Sequence, residues 1–207
     1  MADTEGSFMV ERVVEMATAL VKHLEAVSQA NEGMQMTLTV EHILDHIYYF
    51  RVHDHIEQIA LINTLLSFLE SHPNVKLLVI DSITFHFRHD FEDMRVRTRL
   101  LNQMAGQLTS MAARNNMAVV VINQVTTKME GNTVSLVPAL GETWAHACTE
   151  RITLQWSPGG TVNSNSTECR IARLVKSSSQ RAQAVPYQIT PEGIRNFDTS
   201  SSNVNNE

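Results

Sequence analysis

Cysteine is scarce in this chain. Cys148 and Cys169 are the only two, and they do not form a Cys-x-x-Cys pair. That leaves no material for a disulfide-dense scaffold or a Cys-x-x-Cys motif, and the thiols are expected to stay reduced inside a cell. Long apolar runs are missing too. No stretch approaches the roughly 20 apolar residues of a membrane-spanning helix, and no basic segment followed by an apolar one opens the sequence. The expectation is a soluble intracellular protein with no membrane partner. Positive charge is in deficit: 16 Lys and Arg against 22 Asp and Glu give a formal net charge of -6. That excludes a whole-surface cationic binder of nucleic acid while leaving a local basic patch open. Glycine is sparse as well. The glycines at 6, 33, 106, 131, 141, 159, 160 and 193 never build the G-x-x-x-x-G-K-[ST] loop that cradles a phosphate.

What is present is a core former, with hydrophobic residues at 43% of 207. Val10, Val13, Val14, Ala17, Leu20, Val21 and Leu24 recur at helical spacing, so residues 7–30 read as an amphipathic helix that the polar "NEGMQ" ends. "HIYYFRV" (46–52) reads as a strand. Asp54 and Glu57 form a helix-start signal for a helix running through Ser71, with Ile56, Ile59, Ala60, Leu65 and Leu69 inward. "NVKLLVID" ends at Asp81 and "MAVVVINQ" ends at Gln124; both are continuous apolar runs of the kind buried on both faces of a parallel sheet. Between them, residues 93–115 read as a helix with Leu100, Leu101, Met104, Leu108 and Met111 inward. This alternation is an α/β pattern. From Val125 to Thr143 periodicity fades into a polar stretch, long enough to be functional or mobile. "ERITLQW" (150–156), "TECRIARLVK" (167–176) and "VPYQIT" (185–190) read as three further strands, placed as an antiparallel edge, with "SPGGT" a turn and "TPEG" closing the last. Residues 198–207 read as a disordered tail.

Three groups stand at strand exits. Asp81 ends an apolar strand, where a carboxylate holds Mg²⁺ in nucleotide-hydrolysing α/β proteins, directly or through water, and otherwise caps a turn. Glu5, in "DTEG", either orients an attacking water or serves as a helix-start acid helped by the dipole. "DTEG" itself reads as the exit of a buried strand that no earlier residues supply. Asn123 and Gln124 offer amides that can touch a phosphate, or simply stop a strand. Their order along the chain, each at a β exit, is what a nucleotide site built from several strand ends requires. Arg88, Arg95, Arg97 and Arg99 follow the Asp81 strand with acids interleaved, and suit either phosphate contact or a solvated helix start. Nine histidines invite a metal reading, with His53-x-His55 and His86 beside His89 and Asp90 as candidates, yet no spacing matches a zinc signature.

"DTEGSF", "LLVIDS", "VVVINQVTTK" and "LVPALGETWAHA" together resemble the RecA/Rad51 recombinase family, and "IYYFR" and "FRHDFEDMRVRTRLLN" its eukaryotic C paralogues. The resemblance runs from Asp3 to about Phe197. It implies a RecA-type core, mainly parallel with flanking helices and an antiparallel C-terminal edge, incomplete on its N-terminal side. Residues 1–197 would be the C-terminal part of that ATPase core. It also implies ATP-dependent DNA repair by homologous recombination in the nucleus (cytoplasm and mitochondrion being further sites), with other recombinase paralogues and single-stranded DNA as partners. Glu5 matches the family's water-activating glutamate, Arg12 the arginine stacked on adenine, and Asp81 the Mg²⁺-holding aspartate. Gln124 and His146 match groups that sense the γ-phosphate. Lys176 matches a residue that reaches a neighbouring subunit's nucleotide, although Ser178 stands where the family usually has proline. Residues 87–99 and 125–143 match the DNA-binding loops, with Arg95, Arg97 and Lys128 as contacts. Because the phosphate loop is missing, the expectation is that ATP and Mg²⁺ serve the intact family while this chain alone binds neither. It reads as the back half of a recombinase, poorly folded or aggregation-prone by itself. A non-catalytic assembly subunit of a paralogue complex is the alternative reading, and another RecA-fold ATPase, such as a replicative helicase, leaves "LVPALGETWAHA" unexplained.

Overall fold

The computed structural model describes residues 1–30, 38–88, 91, 93–131, 133–157 and 169–197. The 198–207 tail, "NEGMQ", most of "SPGGT", His89 and Asp90 lie outside the described residues. Along the chain run β1 (Ala2–Asp3), α1 (Val10–Ala30), α2 (Val40–Asp45), β2 (Phe50–Arg51), α3 (His55–Ser71), β3 (Leu77–Asp81), α4 (Met94–Asn115) and β4 (Ala118–Val121). After them come β5 (Val125–Glu130), β6 (Thr133–Pro138), α5 (Gly141–Ala147), β7 (Arg151–Trp156), β8 (Arg170–Lys176), β9 (Gln183–Thr190) and β10 (Gly193–Asn196). They fall into two compact units, Met1–Phe8 with Ile47–Cys148, and Met9–His46 with Thr149–Glu207.

The first unit is built on a parallel sheet in the order β2-β1-β3-β4. The strand expected to be missing before "DTEG" is present in miniature. Ala2 and Asp3 pair with Phe50 and Arg51 on one side and with Ile80 and Asp81 on the other. Two residues suffice because both flanking strands satisfy their backbone groups, and Met1 extends the ladder by accepting from the Phe50 N–H at 2.9 Å. The core lies on one face, where Leu78 and Ile80 of β3 meet Ile62, Leu65 and Leu69 of α3, Leu101, Met104, Leu108 and Met111 of α4, and Trp144 of α5. The apolar runs expected to be buried on both faces are covered on one only: Leu77 of β3, Val120 of β4 and Ile122 just past β4 are exposed.

Asp54 caps α3 as its spacing predicts, its Oδ1 accepting from the Glu57 N–H at 2.7 Å while Glu57 reaches back to the His53 N–H at 2.8 Å. The inward stripe of that helix is the expected one at Leu65 and Leu69, with Ile59 packed beside the core, but differs at Ile56 and Ala60. Ile56 is 65% exposed, whereas Gln58, Ile62, Leu65 and Leu69 are buried. These four repeat at i, i+4, i+7 and i+11, so Gln58 occupies an apolar position, where its Nε2 donates to the Ile83 carbonyl at 3.5 Å. The α4 helix stops at Asn116, which takes the left-handed conformation (φ 47°) that asparagine tolerates.

The stretch read as a polar connection, 125–143, is instead a β-hairpin followed by α5. β5 and β6 pair antiparallel from Val125↔Pro138 to Glu130↔Thr133, with Gly131 at φ +61° in the turn. Threonine and valine, β-branched and frequent in both strands, supply the strand preference that Lys and Ser mask in a hydropathy reading.

In the second unit the antiparallel strands form a sheet of their own, order β10-β9-β8-β7. "TPEG" does not end the strands; it turns β9 into β10, with Gly193 at φ +113°. The short α2, capped by Thr39 whose hydroxyl accepts from the His42 N–H, was not read from the sequence, and β2 is confined to Phe50–Arg51 within the expected 46–52.

Candidate functional site

Three strands running in the same direction deliver their exits to one place. Thr4, just past β1, donates its N–H to the Asp81 carbonyl at 2.8 Å, and its hydroxyl bonds the next residue of β3 twice: it accepts from the Ser82 N–H at 2.8 Å and donates to the Ser82 carbonyl at 2.9 Å. The Asp81–Ser82 peptide is cis. Beyond β4, the Gln124 N–H donates to the Thr84 hydroxyl at 3.2 Å, and that hydroxyl donates to Asn123 Oδ1. Thr4, Ser82 and Thr84 are fully buried, so these exits are laced by satisfied polar groups.

On this base stands Glu5. Ser82 Oγ donates to its Oε1 at 2.6 Å and Gln124 Nε2 donates to the same oxygen at 2.7 Å. Arg88 donates to Gln124 Oε1 at 2.8 Å. Both bonds land on one carboxylate oxygen, Oε1. The structure thus brings Glu5 and Gln124 together, with Asp81 at the adjoining strand end. Burial holds the Asp81 carboxyl above the ordinary carboxylate value, and the neighbouring charges of Glu5 and Asp3 push it the same way. A cation placed there would reverse that balance.

The sequence reading missed Asp3. It is fully buried, yet its Oδ1 accepts from the N–H groups of Glu5 at 3.0 Å, Gly6 at 2.7 Å and Ser7 at 3.4 Å. Its Oδ2 accepts from Phe8 N–H at 3.3 Å and Tyr49 hydroxyl at 2.9 Å. Burial raises its pKa, but the bonds from Gly6, Tyr49, Phe8 and Ser7 outweigh it and hold the carboxyl below the ordinary value. Asp3 therefore fixes the turn that carries Glu5. A carboxylate followed three residues later by glycine was the available signal.

The remaining candidates stand elsewhere. Arg12, on α1, is engaged by Glu15 and by the backbone carbonyls of Thr190 and Pro191, so its guanidinium edge is already committed to holding the end of β9. Lys176 is half-buried at the end of β8. His146 is exposed on the last turn of α5 and lines a groove with Asn102, Ala105, Thr109 and Ser110 of α4. Arg95 and Arg97 belong to the first turns of α4 and not to a loop, because Asp93 caps the helix through the Arg95 N–H at 2.7 Å. Arg95 is exposed and shares a groove with Met94, Thr98, Arg99 and Asn102. Arg97 is half-buried with its Nε buried and unbonded, and burial lowers its pKa. Lys128 is exposed on the hairpin. Of the histidines, His53 pairs with Glu57, His86 is buried against the Val52 carbonyl, and His55 packs on Phe87 and Phe91.

For Mg²⁺ the donor set fits in part. Among the described residues no group of three or more His, Cys, Asp or Glu could hold a metal ion. Magnesium, however, needs only one or two carboxylates beside water and phosphate oxygens, which Asp81 and its surroundings supply. For the triphosphate, nothing in the 207 residues matches the glycine-rich loop with its lysine.

The Rad51 family model matches residues 1–197. The chain belongs to the Rad51 family. It is 44% identical over 210 residues to DNA repair protein RAD51 homolog 3 of Cricetulus griseus, covering 99% of this chain and 55% of that protein. It is 48% identical over 197 residues to the protein of the same name from Dictyostelium discoideum, covering 93% and 49%. The chain thus spans about half the length of these curated relatives. The crystal structure of the RadB recombinase superposes with a TM-score of 0.71 at 25% identity, over 95% of this chain and 77% of that one. The fold is RecA-type α/β: a parallel sheet with flanking helices, and an antiparallel sheet.

Proposed function

We propose that this chain supplies the hydrolysis side of an ATP-dependent protein of homologous-recombination repair, acting in the nucleus on single-stranded DNA within a hetero-oligomer of related recombinases. The observation that carries the reading is the double donation from Ser82 and Gln124 onto Glu5 Oε1 at 2.6 and 2.7 Å. That arrangement fixes a carboxylate at a strand exit, and its other oxygen would orient a water. Bound ATP with Mg²⁺ would supply the phosphoryl group to be transferred. Asp81 would hold the Mg²⁺; Arg12 and Lys176, both in the second unit, are proposed separately for nucleotide contact, Arg12 through the face of a guanidinium whose edge is already bonded. Arg95 and Lys128 offer exposed cations for phosphate-backbone contact, with Arg97 the least accessible of the three. His146 is assigned to relaying the state of the site, from α5 immediately after the hairpin.

The test is co-expression with Rad51-family partners, followed by measurement of DNA-stimulated ATP hydrolysis. Glu5→Gln should lower turnover at least 100-fold while assembly is unchanged; turnover that ignores Glu5 sinks the reading. A second reading, a non-catalytic assembly subunit, is favoured by the exposed apolar row Ile152, Leu154 and Trp156 on β7. Capture of partners that needs no nucleotide, with hydrolysis indifferent to Glu5, selects it.

A further inference from the structure

We propose that Arg88 is a positioning residue for Gln124, holding the side-chain amide in the one orientation that places its NH₂ on Glu5. The inference rests on the reading of Glu5 and Gln124 given above and adds a residue to it.

The geometry is a linear chain. Arg88 NH1 donates to Gln124 Oε1 at 2.8 Å, and Gln124 Nε2 donates to Glu5 Oε1 at 2.7 Å. A guanidinium can only donate and an ionised carboxylate can only accept, whereas an amide has one face of each kind. A flip of the amide would set its NH₂ against the guanidinium and its oxygen against the carboxylate, breaking both bonds together. Glu5 alone selects the flip but leaves the amide oxygen to water. Arg88 closes the second end with a charge-assisted bond.

Both backbones are anchored, so the bridging side chains meet at a fixed span. Phe87, next to Arg88, is fully buried, donates its N–H to the Thr84 carbonyl at 3.0 Å and stacks on Phe91 with ring centroids 5.1 Å apart. Gln124 is pinned through its N–H to Thr84 and through its carbonyl, which accepts from the Ala139 N–H at 2.9 Å. Arg88 is itself exposed, so replacing it removes the bond without opening the core.

The test uses the full chain labelled with ¹⁵N-glutamine, the Gln124 NH₂ signal being assigned by its loss in Gln124→Glu, and measures exchange of that amide with water. Arg88→Met should raise the exchange rate roughly tenfold, the loss of one charge-assisted hydrogen bond, and Arg88→Lys should recover part of the protection. The indole signal of the buried Trp144 certifies that the core is intact. Unchanged exchange in Arg88→Met overturns the proposal. In the assembled complex, Arg88→Met should lower kcat with KM unchanged, with partial rescue by Arg88→Lys. Faster amide exchange with hydrolysis indifferent to both Arg88→Met and Gln124→Ala would uphold the positioning and defeat the hydrolytic reading of Gln124, so the two failures are separable.

Discussion

Replacing Asp3 by alanine should cost the first unit about 3–5 kcal/mol, the usual loss when one partner of a buried charged arrangement is removed. The structure supports that figure bond by bond. Two of the five donors to Asp3 are short, the Gly6 N–H at 2.7 Å and the Tyr49 hydroxyl at 2.9 Å, and hydrogen bonds to a charged group contribute about 1.5–3 kcal/mol each. The Ser7 and Phe8 bonds, at 3.4 and 3.3 Å, add little. Since domains are commonly stable by about 5–15 kcal/mol, the loss moves the unfolding midpoint far down. Asp3→Asn should be milder, because its Oδ1 still accepts from Glu5 and Gly6 and the Tyr49 hydroxyl can turn to meet the NH₂. The assay is urea unfolding followed by the fluorescence of Trp144, which is 4% exposed and belongs to the same unit. The pH dependence gives a second check. The folded pKa of Asp3 is depressed, so its contribution is fully present above the unfolded value and is lost as pH falls through the folded one. Wild type and Asp3→Ala should therefore converge in acid. A midpoint for Asp3→Ala that corresponds to less than about 0.5 kcal/mol of loss, or a larger loss for Asp3→Asn than for Asp3→Ala, refutes the reasoning.

Three further outcomes follow from the same geometry. Gly6→Ala should destabilise by about 1–2 kcal/mol in the same assay, because φ is +74° and the new Cβ would lie 3.0 Å from the Arg51 guanidinium. The Asp81 carboxyl is raised, so its ionisation opposes folding; without Mg²⁺, Asp81→Asn should raise the urea midpoint at pH 7 and leave it unchanged well below the carboxylate range. Leu154 is 68% exposed on β7, so Leu154→Thr should reduce light scattering of the isolated chain without lowering its unfolding midpoint.

Much of this could be read from residue order because the signals are local. The Asp54 cap, the α4 stripe of Leu101, Met104, Leu108 and Met111, and the apolar runs ending at Asp81 and Gln124 each sit within one turn, one helix or one strand with its exit. In α3, Leu65 and Leu69 are buried as expected, but the first turn was misjudged because Gln58 takes an apolar position, a choice explained only by the distant Ile83 carbonyl. The hairpin was hidden because Thr, Lys and Ser lower hydropathy while keeping strand preference. Pairing is non-local, so neither the two-residue β1 between β2 and β3 nor the separate antiparallel sheet was legible in advance. At the site, Glu5, Asp81 and Gln124 were found as strand-exit residues. Asp3 escaped because its work is on backbone N–H groups, and the place of Arg88 in the chain to Glu5 escaped because it joins segments 36 residues apart.

The most direct test is a calorimetric titration of the purified 207-residue chain with Mg²⁺·ATP. With the groups proposed for hydrolysis but no glycine-rich phosphate loop among its 207 residues, the chain should show no saturable heat at micromolar nucleotide, and Asp81→Asn should change nothing. One-to-one micromolar binding of nucleotide by the chain alone would contradict the account.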